Sequence, residues 1–168
     1  MLRTLANLRA IDIGFRPDHL LAVRTILPTT RYATGAARQA FYDRVVEQTR
    51  ALPGVESAAY ASMLPFQSIG NTTWFQIEGV ALDPTNPVDA LLRAGTSDYL
   101  KTLGAQIVEG RLSDERDSAD APKVLVINDT MAKQYWPGAS ALGHRVRIGS
   151  TQPYYAIVGV VRDLKERG

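Results

Sequence analysis

Cysteine is absent from the 168 residues, and histidine occurs only twice. Without thiols the chain can form no disulfide, no zinc–thiolate centre and no thiol nucleophile, a composition that suits an oxidising compartment without requiring one. The two histidines, His19 and His144, lie far apart and outside any ligand-spaced cluster. His144 also stands beside Arg145 and Arg147, and neighbouring cations disfavour a bound metal ion. Charge of one sign is lacking too. The net charge is +2, and the one local basic cluster, His144 with Arg145 and Arg147, is too small to serve as a footprint for nucleic acid. Long apolar runs are missing: the strongest, residues 156–161, falls far short of the roughly 20 residues a membrane helix needs. Arg3, Arg9 and Arg16 interrupt every stretch that could read as a secretory leader. A G-x-S-x-G elbow and a G-x-x-x-x-G-K-[ST] phosphate loop are likewise absent, which argues against serine-hydrolase and nucleotide-hydrolysis chemistry.

What is present is an ordinary globular balance, 45% hydrophobic and 21% charged. A chain of this length makes one domain or two small subdomains, and buries roughly 70% of its unfolded surface without a metal or disulfide. Residues 2–9 have helical composition but an imperfect leucine stripe. Residues 20–27, mostly apolar and β-branched up to Pro28, predict a buried strand. Thr34 is placed to cap a helix running to Leu52, with Phe41, Val45 and Leu52 on one face and Pro53-Gly54 as its stop. Residues 55–61 predict a second buried strand, closing a β-α-β run.

Residues 72–78 alternate, with Thr73, Phe75 and Ile77 on one face, and residues 88–94 are the expected antiparallel partner. A short helix follows, capped by Thr96-Ser97, carrying Tyr99, Leu100 and Leu103 and ended by Gly104; residues 106–109 form a short strand. Residues 123–127 predict a buried strand, and Asn128 caps a helix bearing Met131, Ala132, Tyr135 and Trp136, stopped by Pro137-Gly138. Residues 145–148 and 154–161 complete a hairpin. The pattern is α+β, with hairpins dominating the second half.

Three sets of residues carry chemistry worth weighing. Asp114, Glu115, Asp117 and Asp120 could supply oxygens to a calcium ion, but the loop pattern is missing and Arg116 interrupts the run, so a solvated turn is the expectation. Asn71-Thr72-Thr73 and Asn128-Asp129-Thr130 match the glycosylation sequon, and Asn128 has a simpler use as a helix cap. The aromatics Phe66, Trp74, Tyr135, Trp136, Tyr154 and Tyr155 could line a groove, yet at helix and strand positions they are expected in the core. Phe66, in the loop Leu64-Pro65-Phe66, is the one expected to stay accessible. No residue is nominated as catalytic, cofactor-binding or metal-ligating.

Spread over the chain, a series of short segments resembles the periplasmic core domain of MacB-like and FtsX-type ABC-transporter permeases. They include Ile11-Asp12-Ile13-Gly14-Phe15-Arg16-Pro17, Leu52-Pro53-Gly54-Val55 and Leu64-Pro65-Phe66. Asp98-Tyr99-Leu100, Glu109-Gly110-Arg111 and Val126-Ile127-Asn128 continue the series. Tyr135-Trp136-Pro137-Gly138, Leu142-Gly143-His144-Arg145 and Val158-Gly159-Val160-Val161-Arg162-Asp163 complete it. Order and spacing carry the match more than any one piece.

The resemblance implies a porter-like β-α-β layer with a smaller β-rich subdomain inserted. Residues 1–18 would then be a stalk from a first membrane helix, 19–94 the porter-like part, and 95–168 the small subdomain and the start of the return. It implies a non-catalytic domain on the periplasmic face of the bacterial inner membrane, part of a multi-pass protein and without cofactors. The implied partners are a separate cytoplasmic ATPase reached through the membrane part, a periplasmic adaptor or lipoprotein, and a second permease copy, with no nucleic acid. In this reading ATP hydrolysis is coupled to substrate export or lipoprotein handling. The competing reading is a free periplasmic module binding a small ligand in the cleft between its halves.

Overall fold

A computed structural model of the chain describes residues 13–66, 72–81, 88–117 and 120–165. The stalk helix expected at residues 2–9 lies outside the described residues.

Helix α1 spans Gly35–Arg50, and Thr34 caps it as the sequence predicts, its hydroxyl accepting from the Ala37 amide at 3.1 Å. Only Val46 of this helix is buried; Phe41 and Tyr42 pack at half-exposed positions, Phe41 against Tyr32 and Tyr42 against Tyr60, with ring centroids 5.2 and 4.6 Å apart. The two strands expected on either side of α1 do not form ladders. Residues 20–27 join no ladder among the described residues, with Leu21, Val23 and Ile26 respectively 88, 71 and 78% exposed. Residues 55–61 make a single bridge, Ala61 to Gly95. The expectation of two buried strands is therefore corrected. Apolar composition marks a segment that favours a sheet, but a strand needs a partner edge and a covering layer, and among the described residues this segment has neither.

The rest of the chain builds one sheet. Strands β1 (Thr72–Ile77) and β2 (Asp89–Leu91) pair antiparallel. Helix α2 (Tyr99–Thr102) leads to β3 (Ile107–Gly110), and β4 (Val124–Asn128) runs into helix α3 (Asp129–Tyr135). Strands β5 (Arg145–Ile148) and β6 (Tyr154–Val161) form the expected hairpin. The order is β2-β1-β5-β6-β3, all antiparallel, with β4 parallel to β6 on its other edge.

β6 is the longest strand and the central one. It holds β4 along one side, while the other side serves β5 over its first half and β3 over its second. That central place is why residues 156–161 are apolar almost without interruption, whereas β5 alternates arginine with valine and isoleucine. Phe75, Ile127, Trp136, Ala141, Val146, Ile157 and Val160 form the core between the sheet and α3. β1 and β2 thus share a sheet with β3 to β6, although by sequence they fall in the 19–94 segment.

Candidate functional site

The residues weighed for chemistry are dispersed by the fold. His19 is exposed and sits in a left-handed backbone conformation, φ 62°. His144 is exposed, its ring 5.2 Å from that of Trp136. Among the described residues no three His, Asp or Glu side chains are gathered as a metal site would need.

The acidic loop is the most organised polar feature, and arginines occupy it. Arg111 donates from Nη1 and Nη2 to the two carboxylate oxygens of Asp117, each at 2.7 Å, and Nη1 also reaches Asp114 at 3.4 Å. Arg116 forks onto Asp114 with Nε at 2.9 Å and Nη2 at 2.6 Å. The Asp114 amide donates to Asp117, closing the turn. Two carboxylates already held by two guanidiniums leave little for a calcium ion, so the solvated-turn expectation becomes a definite structure, an ion-paired loop. The spacing Arg111-x-x-Asp114-x-x-Asp117 was visible in the sequence, but only the fold shows that Arg111 turns back onto both acids.

The aromatics divide by face. Phe75 meets Tyr135 edge-on at 5.5 Å, and Trp136 is 9% exposed within the core. Trp74 and Tyr154 stand on the opposite face of the sheet. There Arg145 and Arg147 lie 5.9 and 5.3 Å from the Tyr154 ring, Arg145 pairs with Glu78, and Arg147 donates to the Gln76 side-chain carbonyl. Phe66 is 46% exposed with φ 63°, as its loop position suggests, and its ring lies 6.1 Å from that of Phe15. An open groove of about 520 Å³ runs between α3 and β3, lined among others by Val108, Glu109, Lys133, Trp136 and Ser140. Its polar groups are committed, Ser140 Oγ to Glu109 at 2.5 Å and Lys133 to Asp129 at 2.5 Å.

Asn128 caps α3 as predicted, accepting from the Met131 amide at 3.2 Å. Sequence reasoning did not anticipate Asp163. Its carboxylate accepts from Asn128 Nδ2 at 2.6 Å, from the Thr130 amide at 3.1 Å and from the Thr130 hydroxyl at 2.5 Å. At α2 the residue in the cap position is Asp98, whose side chain caps nothing and pairs with Arg50 instead.

These contacts fix the acid behaviour. Asp114 is held well below the usual carboxylate range by hydrogen bonds from Arg116, and Asp117 is lowered by those from Arg111. Burial alone would raise Asp163, but the Thr130 and Asn128 donors outweigh it and leave it lowered. A carboxyl depressed in the fold stabilises above its unfolded pKa of about 3.9 and loses that contribution as pH falls through the folded value. Unfolding free energy from urea titrations should therefore be level from pH 7 to about 5 and fall below about pH 4. Asp117→Asn should lower the neutral plateau and shrink the acid fall; an unchanged profile would remove this ion pair from the account.

The geometry defines an α+β fold in which Arg111, Asp114, Asp117 and Asp163 are held in ion pairs and helix-cap contacts. The model of the MacB-like periplasmic core domain family matches residues 8–168, and the chain belongs to that family. Its fold is similar to that of the periplasmic region of MacB from Actinobacillus actinomycetemcomitans, with TM-score 0.53 and 15% identity over 75% of this chain and 52% of that one. It is also similar to the extracellular domain of the noncanonic ABC-type transporter YknZ from Gram-positive bacteria, with TM-score 0.53 and 16% identity over 73% of this chain and 58% of that one. The chain thus spans little more than half the length of these structures. No curated protein matches it. Among the described residues no helix is long and apolar enough to cross a membrane.

Proposed function

We propose that this chain is a non-catalytic, extracytoplasmic part of a multi-pass ABC-transporter permease. It would couple ATP hydrolysis by a separate cytoplasmic ATPase to substrate export or lipoprotein handling on the periplasmic side of the inner membrane. The family match over residues 8–168 carries the reading. It is supported by the commitment of Arg111, Asp114, Asp117 and Asp163 to ion pairs and caps, a rigid scaffold suited to passing on movement. A periplasmic adaptor, a lipoprotein and a second permease copy are the partners this role calls for.

Within the domain, we assign residues 13–66 with α2 to the porter-like part and strands β1 to β6 with α3 to the small β-rich subdomain. This moves the boundary from the 94/95 position that sequence alone suggested. The sheet pairing of β1 with β5 and the contact of Arg50 with Asp98 favour the change.

The test is made in the intact permease with its ATPase in proteoliposomes. Deleting the small subdomain should leave ATP hydrolysis within about twofold while export falls to background. Export that persists would refute the coupling role. Turnover of an ester, peptide, glycoside or nucleotide by the purified chain would refute the non-catalytic assignment.

A further inference from the structure

Three segments from distant parts of the chain meet: residues 13–16, 103–106 and 162–165. Backbone hydrogen bonds join them, Arg16 N to Leu103 O at 2.9 Å, Arg162 N to Gln106 O at 2.9 Å and Lys165 N to Ile13 O at 3.0 Å. Gly14 is buried with φ 79°, and it lies so close to the Asp163 carbonyl oxygen that a Cβ there would fall on it. The Asp163 carboxylate meanwhile accepts from Asn128 and from both donors of Thr130 at the start of α3. One residue therefore holds the crossing from two sides, its backbone against Gly14 and its side chain on the helix.

We propose that Asp163 is a clamp, a positioning residue that fastens residues 13–16 and 162–165 to α3 and through it to the sheet. Displacement of these segments is then passed to α3 and β4 and does not simply peel the segments away. Aspartate suits the task because an ionised acceptor makes hydrogen bonds about twice as strong as a neutral one, and it takes all three donors at once. Asn128 contributes from the other end: its oxygen caps the Met131 amide, leaving its nitrogen for Asp163. The clamp stands on this chain's geometry alone; only its value for transport rests on the coupling role, and the experiment below measures no transport.

Amide hydrogen exchange on the 168-residue chain tests it. Asp163→Ala should speed exchange at Thr130, Arg16 and Lys165 tenfold or more, while Ala156 and Ile157 in β6 keep their rates. Faster exchange at Thr130 alone would make Asp163 a helix cap and overturn the clamp. A uniform rise that includes β6 would overturn it as well, as a loss of global stability. Thr130→Val, which removes only the hydroxyl donor, should give a smaller rise at the same three amides. Gly14→Ala attacks the crossing from the opposite side and replaces no group on α3. It should still expose the Thr130 amide, because coupling between two sites is reciprocal. A Thr130 amide that stays protected in Gly14→Ala would refute the proposal.

Discussion

Replacing Trp136 with alanine should cost about 3–5 kcal/mol of unfolding free energy, the range for removing a buried aromatic. The side chain closes the C-terminal end of α3, where its amide donates to Ala132 O at 2.9 Å and Pro137-Gly138 turns the chain away. It belongs to the buried cluster that also holds Phe75, Ala141, Val146, Ile157 and Val160, so truncation leaves a cavity that strand backbones cannot collapse to fill. Against a total stability of about 5–15 kcal/mol, that loss brings the domain close to unfolding. Urea titration followed by far-UV circular dichroism gives the measurement. Trp74→Ala, on the outer face of the sheet, is the control and should cost less than about 1 kcal/mol. A Trp136→Ala cost as small as the control's would make this residue a wall of the α3–β3 groove and not part of the core.

Trp136 also shows what the sequence makes legible. Asn128, the apolar positions after it and Pro137-Gly138 define α3 locally, and the alternation in residues 145–148 and 154–161 defines the hairpin. Each signal lies within the element it describes. Residues 20–27 and 55–61 carry an equally clear strand composition, yet their pairing depends on partners elsewhere, and composition does not name a partner. The same limit explains the boundary near residue 94. β1 reads as a hairpin strand with β2, which it is, but its other edge goes to β5, some 70 positions along the chain.

The polar contacts follow this division too. Thr34 and Asn128 cap helices that begin one residue later, so both were legible. Asp163 reaches Thr130 across 33 positions, and Arg50 reaches Asp98 across 48. Nothing local marks either pair. Asp98 could not be separated from its neighbours Thr96 and Ser97 as a cap, because its use as an ion-pair partner is set by where α1 ends. The family was legible only through resemblance, in the order and spacing of short segments and not in any one cluster of side chains.

The second large effect is expected from one methyl group. Gly159 lies buried in β6, opposite Gly110 of β3 on one side and Val126 of β4 on the other. A Cβ at Gly159 would fall on the Arg111 carbonyl oxygen, and one at Gly110, where φ is 72°, would fall on the Val158 carbonyl oxygen. The facing glycines let the end of β3 cross β6 at backbone distance, with the Arg111 amide donating to Val158 O at 2.9 Å. That crossing aims the Arg111 side chain at Asp117. Since the clash is with backbone on both counts, no side chain can swing aside to relieve it. Gly159→Ala should therefore cost about 3 kcal/mol or more, at the upper end of overpacking effects. It should also expose the Arg111 amide to exchange and weaken the acid-dependent part of stability that the Arg111–Asp117 pair supplies. Gly149→Ala is the comparison: its φ of 65° is unfavourable for alanine, but a Cβ there meets nothing within 4 Å. Backbone strain without a clash should cost about 1–2 kcal/mol. If the two substitutions cost the same in urea titrations, the close crossing of β3 and β6 is not what requires glycine at 159.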